Sequence, residues 1–342
     1  MIKAGIIGAT GYAGAKLASL LIAHHDVRLV YLGSHSYVGK QFSDIYPAML
    51  GVCDMVLRED DVKVAANECD VLFLALPAGI AGKAVTGEIL EKTVVIDLGA
   101  DFRLHDASVY ETWYKKEAPA KDILSSAVYG LPELHRAAIK KASLIANPGC
   151  YTTTSILSLA PIMGLIDPKS IIIDALSGVS GAGRSEKITS LYVECDESAK
   201  AYGVANHRHT PEIEQELSWL LGQPATIQFT PHLIPMKNGI LATCTANLNK
   251  EVGLMEISQA FHARYDGEPC IRLYPDANAV ESRFFTGTNT VGIGWTVDDR
   301  THRVIVVGSL DNLYKGAAGQ AVENMNIRFG FPETEALATF SL

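Results

Sequence analysis

Cys150 closes the run Ser143-Leu-Ile-Ala-Asn-Pro-Gly-Cys150, an apolar, strand-like stretch that stops on a Pro-Gly break, and a helix-like segment over 151–165 begins directly after it. A thiol at a strand-to-helix junction meets unsatisfied helix amides and the positive end of the helix dipole, and both favour thiolate over thiol. A structural cysteine belongs inside an apolar run, not on its break. Cys150 is therefore a candidate nucleophile. Such a thiol needs a proton partner, and His207-Arg-His209-Thr-Pro-Glu-Ile-Glu214 offers one. His209 is the histidine nearest the start of the helix predicted over 211–221, and Glu214, within the first turn or so, is the candidate to orient its imidazole. The plain alternative is a helix-entry loop whose histidines cap and hydrate. A His-x-His pair also suits a metal, but no third ligand lies nearby in sequence, and no metal is predicted.

A second chemical signature opens the chain. Gly8-Ala-Thr10-Gly11-Tyr12-Ala13-Gly14 follows a strand and starts a helix, the setting of a dinucleotide fingerprint, with G-x-x-G-x-x-G spacing in place of the commoner G-x-G-x-x-G. Glycines let the backbone turn tightly and approach a pyrophosphate, which the helix N-terminus holds. The end of the second strand bears on which dinucleotide is used. NAD sites present Asp or Glu there to the ribose 2′-hydroxyl; this chain has Gly33-Ser34-His35-Ser36, with Lys40 soon after. Hydroxyls and a cation suit a 2′-phosphate, so NADP(H) is predicted, with Ser34 and Ser36 as its readers. The spacing from Gly33 to Lys40 does not make a phosphate loop, because it is one residue too long and Gln41 stands where Ser or Thr is needed.

Other loops carry weaker signals. Ala100-Asp-Phe-Arg103 follows the apolar strand 94–98, at the carboxyl edge where open α/β sheets bind ligands, and Arg103 is a candidate carboxylate or phosphate clamp. An Asp101–Arg103 surface pair explains it equally well. Ser177-Gly-Val-Ser-Gly181-Ala-Gly-Arg184 is a second glycine-rich loop, either a close approach to a ligand or a mobile turn. Arg184 and Arg208 join Arg103 as candidate substrate cations. The remaining cysteines read as small hydrophobes or as incidental.

These groups need a scaffold. Strands at 2–7, 27–32, 71–76 and 94–98 alternate with helical stretches at 13–24 and 80–90, which is the pattern of a parallel sheet covered on both faces. After Cys150 strand-like runs follow one another (170–176, 226–233, 240–248, 290–297, 303–309), and several alternate apolar and polar residues. The predicted fold class is α/β: a Rossmann-type dinucleotide-binding domain plus an α+β domain with a mixed, largely antiparallel sheet. A closing helix is expected over 312–329. The 342 residues suffice for two cores, and the net charge of −9 without a basic stripe argues against nucleic acid. No stretch is apolar enough to span a bilayer, no signal peptide precedes the first strand, and six scattered cysteines fit reduced thiols; a cytoplasmic location is expected.

These motifs identify a resemblance. The chain resembles the N-acetyl-gamma-glutamyl-phosphate reductases, arginine-pathway members of the wider semialdehyde dehydrogenase group. The likeness rests on Gly8–Gly14, Ala100-Asp-Phe-Arg103, Tyr129-Gly-Leu-Pro-Glu133, Asn147-Pro-Gly-Cys-Tyr151, Ser177–Arg184, His207–Glu214, Thr230-Pro-His-Leu-Ile-Pro-Met236 and Asp311-Asn-Leu-Tyr-Lys-Gly-Ala-Ala-Gly-Gln320. Gly99 departs from it, standing where serine is expected. The resemblance implies that Cys150 accepts the acyl group, that His209 is its acid/base partner steadied by Glu214, and that Asn312, the Gly181 loop and Pro77 contact the cofactor. It also implies that the last helix returns to the first domain, giving 1–149 with 312–342 for NADP and 150–311 for catalysis and oligomerisation, in a homodimer or homotetramer. The implied reaction is NADPH-dependent reduction of an acyl phosphate to a semialdehyde through a cysteine thioester. The alternatives are the same chemistry on a substrate one methylene longer, an N-acylated aminoadipyl phosphate; a Cys/His acyl hydrolase; and a nucleotide-binding redox sensor.

Overall fold

The computed structural model describes residues 1–250 and 252–341, and the chain divides into two compact units, Met1–Pro148 with Ala317–Leu337 and Gly149–Gly316 with Ala338–Leu342. In the first unit, six strands form a sheet in the order β2-β1-β3-β4-β6-β5: β1 (Ile2–Ile7), β2 (Val27–Leu32), β3 (Val71–Leu74), β4 (Val94–Asp97), β5 (Ala127–Tyr129) and β6 (Leu144–Ala146). Every ladder in it is parallel. The central strands β3 and β4 are buried along their whole length, so they are unbroken Val/Ile/Leu/Phe runs up to Asp97. The Tyr12–Ile22 helix crosses from β1 to β2, and the chain re-enters this unit at Ala317 to add the Gly319–Phe329 helix. Asn324 on that helix donates to the Gly130 carbonyl (2.8 Å) and to Asn147 Oδ1 (3.1 Å), tying it to the carboxyl ends of β5 and β6.

Two helices differ from expectation for local reasons. The segment 80–90 is not continuous: Ala81–Ala84 and Gly87–Lys92 are separate because the β-branched pair Val85 and Thr86 takes extended angles between them. The helix expected over 312–329 begins instead with a π turn, Tyr314–Ala318.

In the second unit, seven strands order as β11-β12-β13-β10-β7-β9-β8: β7 (Ile171–Ser177), β8 (Lys200–Ala201), β9 (Ile227–Leu233), β10 (Ile240–Asn247), β11 (Ile271–Tyr274), β12 (Val291–Asp298) and β13 (Arg303–Leu310). β7/β9 and β11/β12 pair parallel; the other ladders are antiparallel, giving the mixed, largely antiparallel sheet the sequence predicts. β10 alternates buried and half-buried residues, and its buried face lies under the Cys150–Leu159 helix, whose residues after Cys150 are all buried. That helix packs so closely that any Cβ at Gly308 would strike Ser158 Oγ. Pro161 removes an amide donor, and the expected helix over 151–165 tightens to 3-10 from Ala160.

Candidate active site

Gly149 takes an extended conformation as N-cap, and Cys150 is the first residue of its helix, partly exposed while Tyr151–Leu159 are buried. The thiol therefore emerges at the positive end of a helix seated on the sheet, as its position in the sequence predicts. One feature was not foreseen. The Gly149 N–H donates to Glu212 Oε1 (2.9 Å), and Thr152 Oγ1 lies 2.8 Å from the same oxygen and 2.6 Å from the Gly149 carbonyl. Glu212 is fully buried. Its carboxylate caps the very helix that carries the nucleophile.

Glu212 belongs to the Thr210–Leu221 helix, whose N-cap is His209. One side chain thus ties the start of the cysteine helix to the start of the histidine helix. The expected orienting acid, Glu214, does something else: its Oε1 accepts from the Ile227 N–H (3.0 Å), fastening the helix to the start of β9, and burial pushes its pKa up. The reason is angular. At about 100° per residue, position 214 lies about 140° around the helix from His209, whereas 212 lies only about 60° away, on the capping side. Spacing within the helix does not signal this role, because Glu212 bonds across to Gly149 while the His209 N–H is taken by His207 Nδ1.

His209 is held by aromatic neighbours. Its ring packs edge-on against Tyr151 (5.9 Å) and His207 (4.8 Å), so it reaches the residue next to Cys150. The His209 N–H donates to His207 Nδ1 (3.2 Å), which requires that nitrogen to be unprotonated. Burial, with the Arg208 charge second, holds His207 down to about 4, so it is neutral near pH 7 with its proton on Nε2. The Tyr202 hydroxyl donates to Tyr151 Oη (3.1 Å), and the Tyr151 hydroxyl donates to the His232 carbonyl (3.2 Å). Burial pushes Tyr202 up to about 12 and raises Tyr151 as well, with the Cys150 charge a lesser contribution to each. Both phenols stay neutral donors beside the thiol. Tyr202 was missed by sequence reasoning, since its bond to Tyr151 spans 51 residues, and the packing roles of His207 and Tyr151 were not read although both lie in quoted motifs.

Of the remaining expected residues in this unit, Asn312 and Gly181 come together. Asn312 is buried, accepts from the Gly239 N–H through Oδ1 (2.8 Å) and donates to Ser180 Oγ (2.9 Å), bracing the 3-10 turn Val179–Ala182 that contains Gly181. Arg184 and Arg208 are exposed. A cavity of about 200 Å³ behind Val179, lined also by Thr189, Cys195, Lys200, Leu233 and Ile234, includes neither Cys150 nor His209.

In the first unit, the glycine loop has the form a dinucleotide needs. Gly8 is at φ 77°, where a Cβ would strike the Ala75 carbonyl, and a Cβ on Gly14 would strike the Gly8 carbonyl. Gly11 caps the helix that opens with Tyr12 and Ala13. Thr10 Oγ1 and the buried Ser34 Oγ are 2.9 Å apart, so Ser34 ties the end of β2 to this loop, while Ser36 and Lys40 are exposed. Pro77 lies exposed in the turn after β3. The donor set and the clearance fit a bound dinucleotide.

Arg103, the candidate carboxylate or phosphate clamp, is engaged by main chain. It is buried, with Nε donating to the Asn147 carbonyl and Nη2 to the Leu98 carbonyl, both at 2.8 Å. These two bonds brace the loops that follow β4 and β6. The surface-pair alternative fails too, because Asp101 accepts from the Gly79 and Gly82 amides (2.7 and 2.8 Å) and the Tyr110 hydroxyl (2.7 Å). Asp97 is fully buried; desolvation, then the Asp101 charge, pushes its pKa up to about 7.

Comparison with known proteins agrees with both halves. Residues 3–142 match the family described as semialdehyde dehydrogenase, NAD binding domain, and residues 150–312 match semialdehyde dehydrogenase, dimerisation domain. The chain is 51% identical over 341 residues, 98% of each chain, to an N-acetyl-gamma-glutamyl-phosphate reductase of Lachnospira eligens. It is 49% identical to those of Moorella thermoacetica (98% of each chain) and Campylobacter jejuni subsp. jejuni (99% of each). Among solved structures, aspartate semialdehyde dehydrogenase II from Vibrio cholerae, complexed with ASA, shares the fold with a TM-score of 0.72 at 18% identity, covering 96% of this chain and 98% of that one. The Candida albicans aspartate semialdehyde dehydrogenase with NADP does so with a TM-score of 0.69 at 17% identity, covering 96% and 98%.

Proposed function

The chain belongs to the semialdehyde dehydrogenase family and, within it, to the N-acetyl-gamma-glutamyl-phosphate reductases, and from that premise we propose that it reduces N-acetyl-γ-glutamyl phosphate to N-acetylglutamate 5-semialdehyde and phosphate at the expense of NADPH. The observation that supports this reading most directly is the shared carboxylate of Glu212. It joins the helix starts of Cys150 and His209 and so fixes a nucleophile and an acid/base group within one rigid frame.

The Cys150 thiolate attacks the acyl carbon; the carbon–sulfur bond forms, the carbon–oxygen bond to phosphate breaks, and phosphate leaves with the electron pair. When bound, NADPH supplies the hydride that reduces the resulting thioester. Amides at the Cys150 helix start not already taken by Glu212 are positioned to stabilise the thiohemiacetal oxyanion. His209 gives that oxygen a proton and recovers it as the carbonyl re-forms and the sulfur departs, a role worth about 10²–10⁴-fold. The thioester matters because hydride adds to it far more readily than to a carboxylate.

In this reading the first unit binds NADP(H) through the Gly8–Gly14 loop, Ser34 and Ser36, with Pro77, Gly181 and Asn312 completing the cofactor contacts. The second unit performs the chemistry and joins copies of the chain into a homodimer or homotetramer, a role supported by its match to a dimerisation domain. Arg184 and Arg208, both exposed, are assigned to the substrate's anionic groups. No helix among the described residues is long and apolar enough to cross a membrane, and we place the enzyme in the cytoplasm.

The test is phosphate-dependent reduction of NADP⁺ by purified protein with N-acetylglutamate semialdehyde, run beside the homologue one methylene longer. Preference for the glutamyl compound is expected, and equal or better turnover of the longer one refutes the substrate assignment. Cys150→Ser should abolish turnover while nucleotide binding stays within about twofold, and normal turnover in that variant would remove the thioester route.

A further inference from the structure

The Cys150 helix starts without a side-chain cap of its own, because its N-cap is Gly149. Three threonines stand in its first turns, at 152, 153 and 154, all fully buried, and their hydroxyls are used differently. Thr154 Oγ1 donates to the Cys150 carbonyl (3.0 Å), the ordinary back-bond of a helical threonine. Thr153 Oγ1 has no hydrogen-bond partner among the described residues. Thr152 reaches out of the helix: its Oγ1 lies 2.8 Å from Glu212 Oε1 as well as 2.6 Å from the Gly149 carbonyl.

The Thr152 hydroxyl has one proton to give, with two acceptors in reach. The carboxylate draws it more strongly, since a hydrogen bond to an ionised acceptor is about twice as strong as one between neutral groups. The Gly149 carbonyl already has a donor, the Thr153 N–H at 2.9 Å. Glu212 Oε1 is thus held by the Gly149 N–H and the Thr152 hydroxyl together. Two donors set at an angle fix the direction of a carboxylate more tightly than one. Both side chains are shut off from water, so no solvent molecule stands ready to replace the hydroxyl.

We propose that Thr152 is a positioning residue for the reaction: by holding Glu212, its hydroxyl keeps the start of the Cys150 helix in register with the start of the His209 helix. The inference rests on the reading of Cys150 as nucleophile and His209 as its acid/base partner, and it adds the group that fixes their shared carboxylate. Position 152 therefore requires a hydroxyl and not merely a side chain of that size.

Thr152→Val keeps the shape and removes the donor, whereas Thr152→Ser keeps the donor. Two readouts on the full chain test them: steady-state kinetics, and alkylation of Cys150 by iodoacetamide at pH 7, followed on the Cys150 peptide by mass spectrometry. The second needs neither substrate nor nucleotide. Thr152→Val should lower kcat about tenfold with KM within about twofold, because a displaced nucleophile loses rate and not affinity. Alkylation should slow about threefold or more as the thiol leaves the helix-start amides that favour thiolate. Thr152→Ser should stay within about twofold of wild type in both readouts. In a Glu212→Met or Glu212→Gln background, Thr152→Val should cost under about threefold, since the charged partner is gone. An unchanged kcat or alkylation rate in Thr152→Val overturns the proposal, as does Thr152→Ser performing as poorly as Thr152→Val, or an equal cost in both backgrounds. If Thr152→Val does not fold, Thr152→Ala takes its place; failure of both overturns the proposal, because the hydroxyl then holds the fold and not the site. A wild-type chain that is alkylated at Cys150 but reduces NADP⁺ with neither semialdehyde refutes the proposed function, and alkylation across the same variants then decides the role of Thr152.

Discussion

Asp97→Asn should remove a contribution of several kcal/mol to the pH dependence of the first unit's stability between about pH 4 and about pH 7. Asp97 ends β4 fully buried; its Oδ1 accepts from the Gly99 N–H at 3.0 Å, and its Oδ2 has no hydrogen-bond partner among the described residues. The charges facing it are the Asp101 carboxylate, which disfavours ionisation, and the Arg103 guanidinium, which favours it less strongly; burial outweighs both and sets the pKa at about 7 against 3.8 for a free aspartate. The folded chain therefore holds a proton that the unfolded chain releases between about pH 4 and about pH 7, and stability falls as pH rises through that window. A shift of about 3 units corresponds to about 4 kcal/mol, present in full below pH 4 and lost above pH 7. Asparagine does not titrate, so the free-energy difference between wild type and Asp97→Asn should change by about this amount from pH 4 to pH 7. Urea unfolding reads it, with Trp113 as the probe in a background of Trp219→Phe and Trp295→Phe so that the first unit alone reports. Groups other than Asp97 cancel in the difference. A difference that stays flat across the window means that Asp97 is ionised throughout, and the reasoning from burial is then wrong.

Two further outcomes concern the second unit. Glu212→Gln should lower kcat by about tenfold or more through displacement of the Cys150 helix start, while Glu214→Gln should leave kcat within about twofold and cost only about 1 kcal/mol of stability for the lost bond to Ile227; steady-state kinetics and unfolding on both variants decide it, and the reverse ranking would restore Glu214 as the orienting acid. His207→Asn keeps an acceptor where Nδ1 stands and should retain most of kcat, whereas His207→Phe keeps the ring without the acceptor and should lose it, with the pH profile of kcat displaced as His209 shifts; equal activity in the two variants would show that the bond to the His209 N–H does not position that residue.

How far these residues were legible in the sequence follows from the range of the forces that place them. Cys150 and the Gly8–Gly14 loop were readable because their chemistry is local: a Pro-Gly break sets a helix start, and a glycine at φ 77° announces a backbone turn. The parallel and mixed sheets were readable because continuous and alternating apolar runs record how many faces of a strand are buried. The acid that ties the histidine helix to the Cys150 helix is Glu212, while Glu214 fastens the helix to β9, and proximity in sequence to His209 is no guide at about 100° per residue.

Arg103 and Asp60 were misjudged or missed for a different reason. A charged side chain near a ligand-binding edge reads as a ligand group, but a buried charge must first satisfy its own hydrogen bonds. Arg103 does so on the carbonyls of Leu98 and Asn147, and Asp60 on an amide 52 residues away at Gly8. Both hold loops in place. Whether a charged residue braces the fold or meets a ligand depends on which distant groups already satisfy it, and spacing in a sequence does not encode those partners.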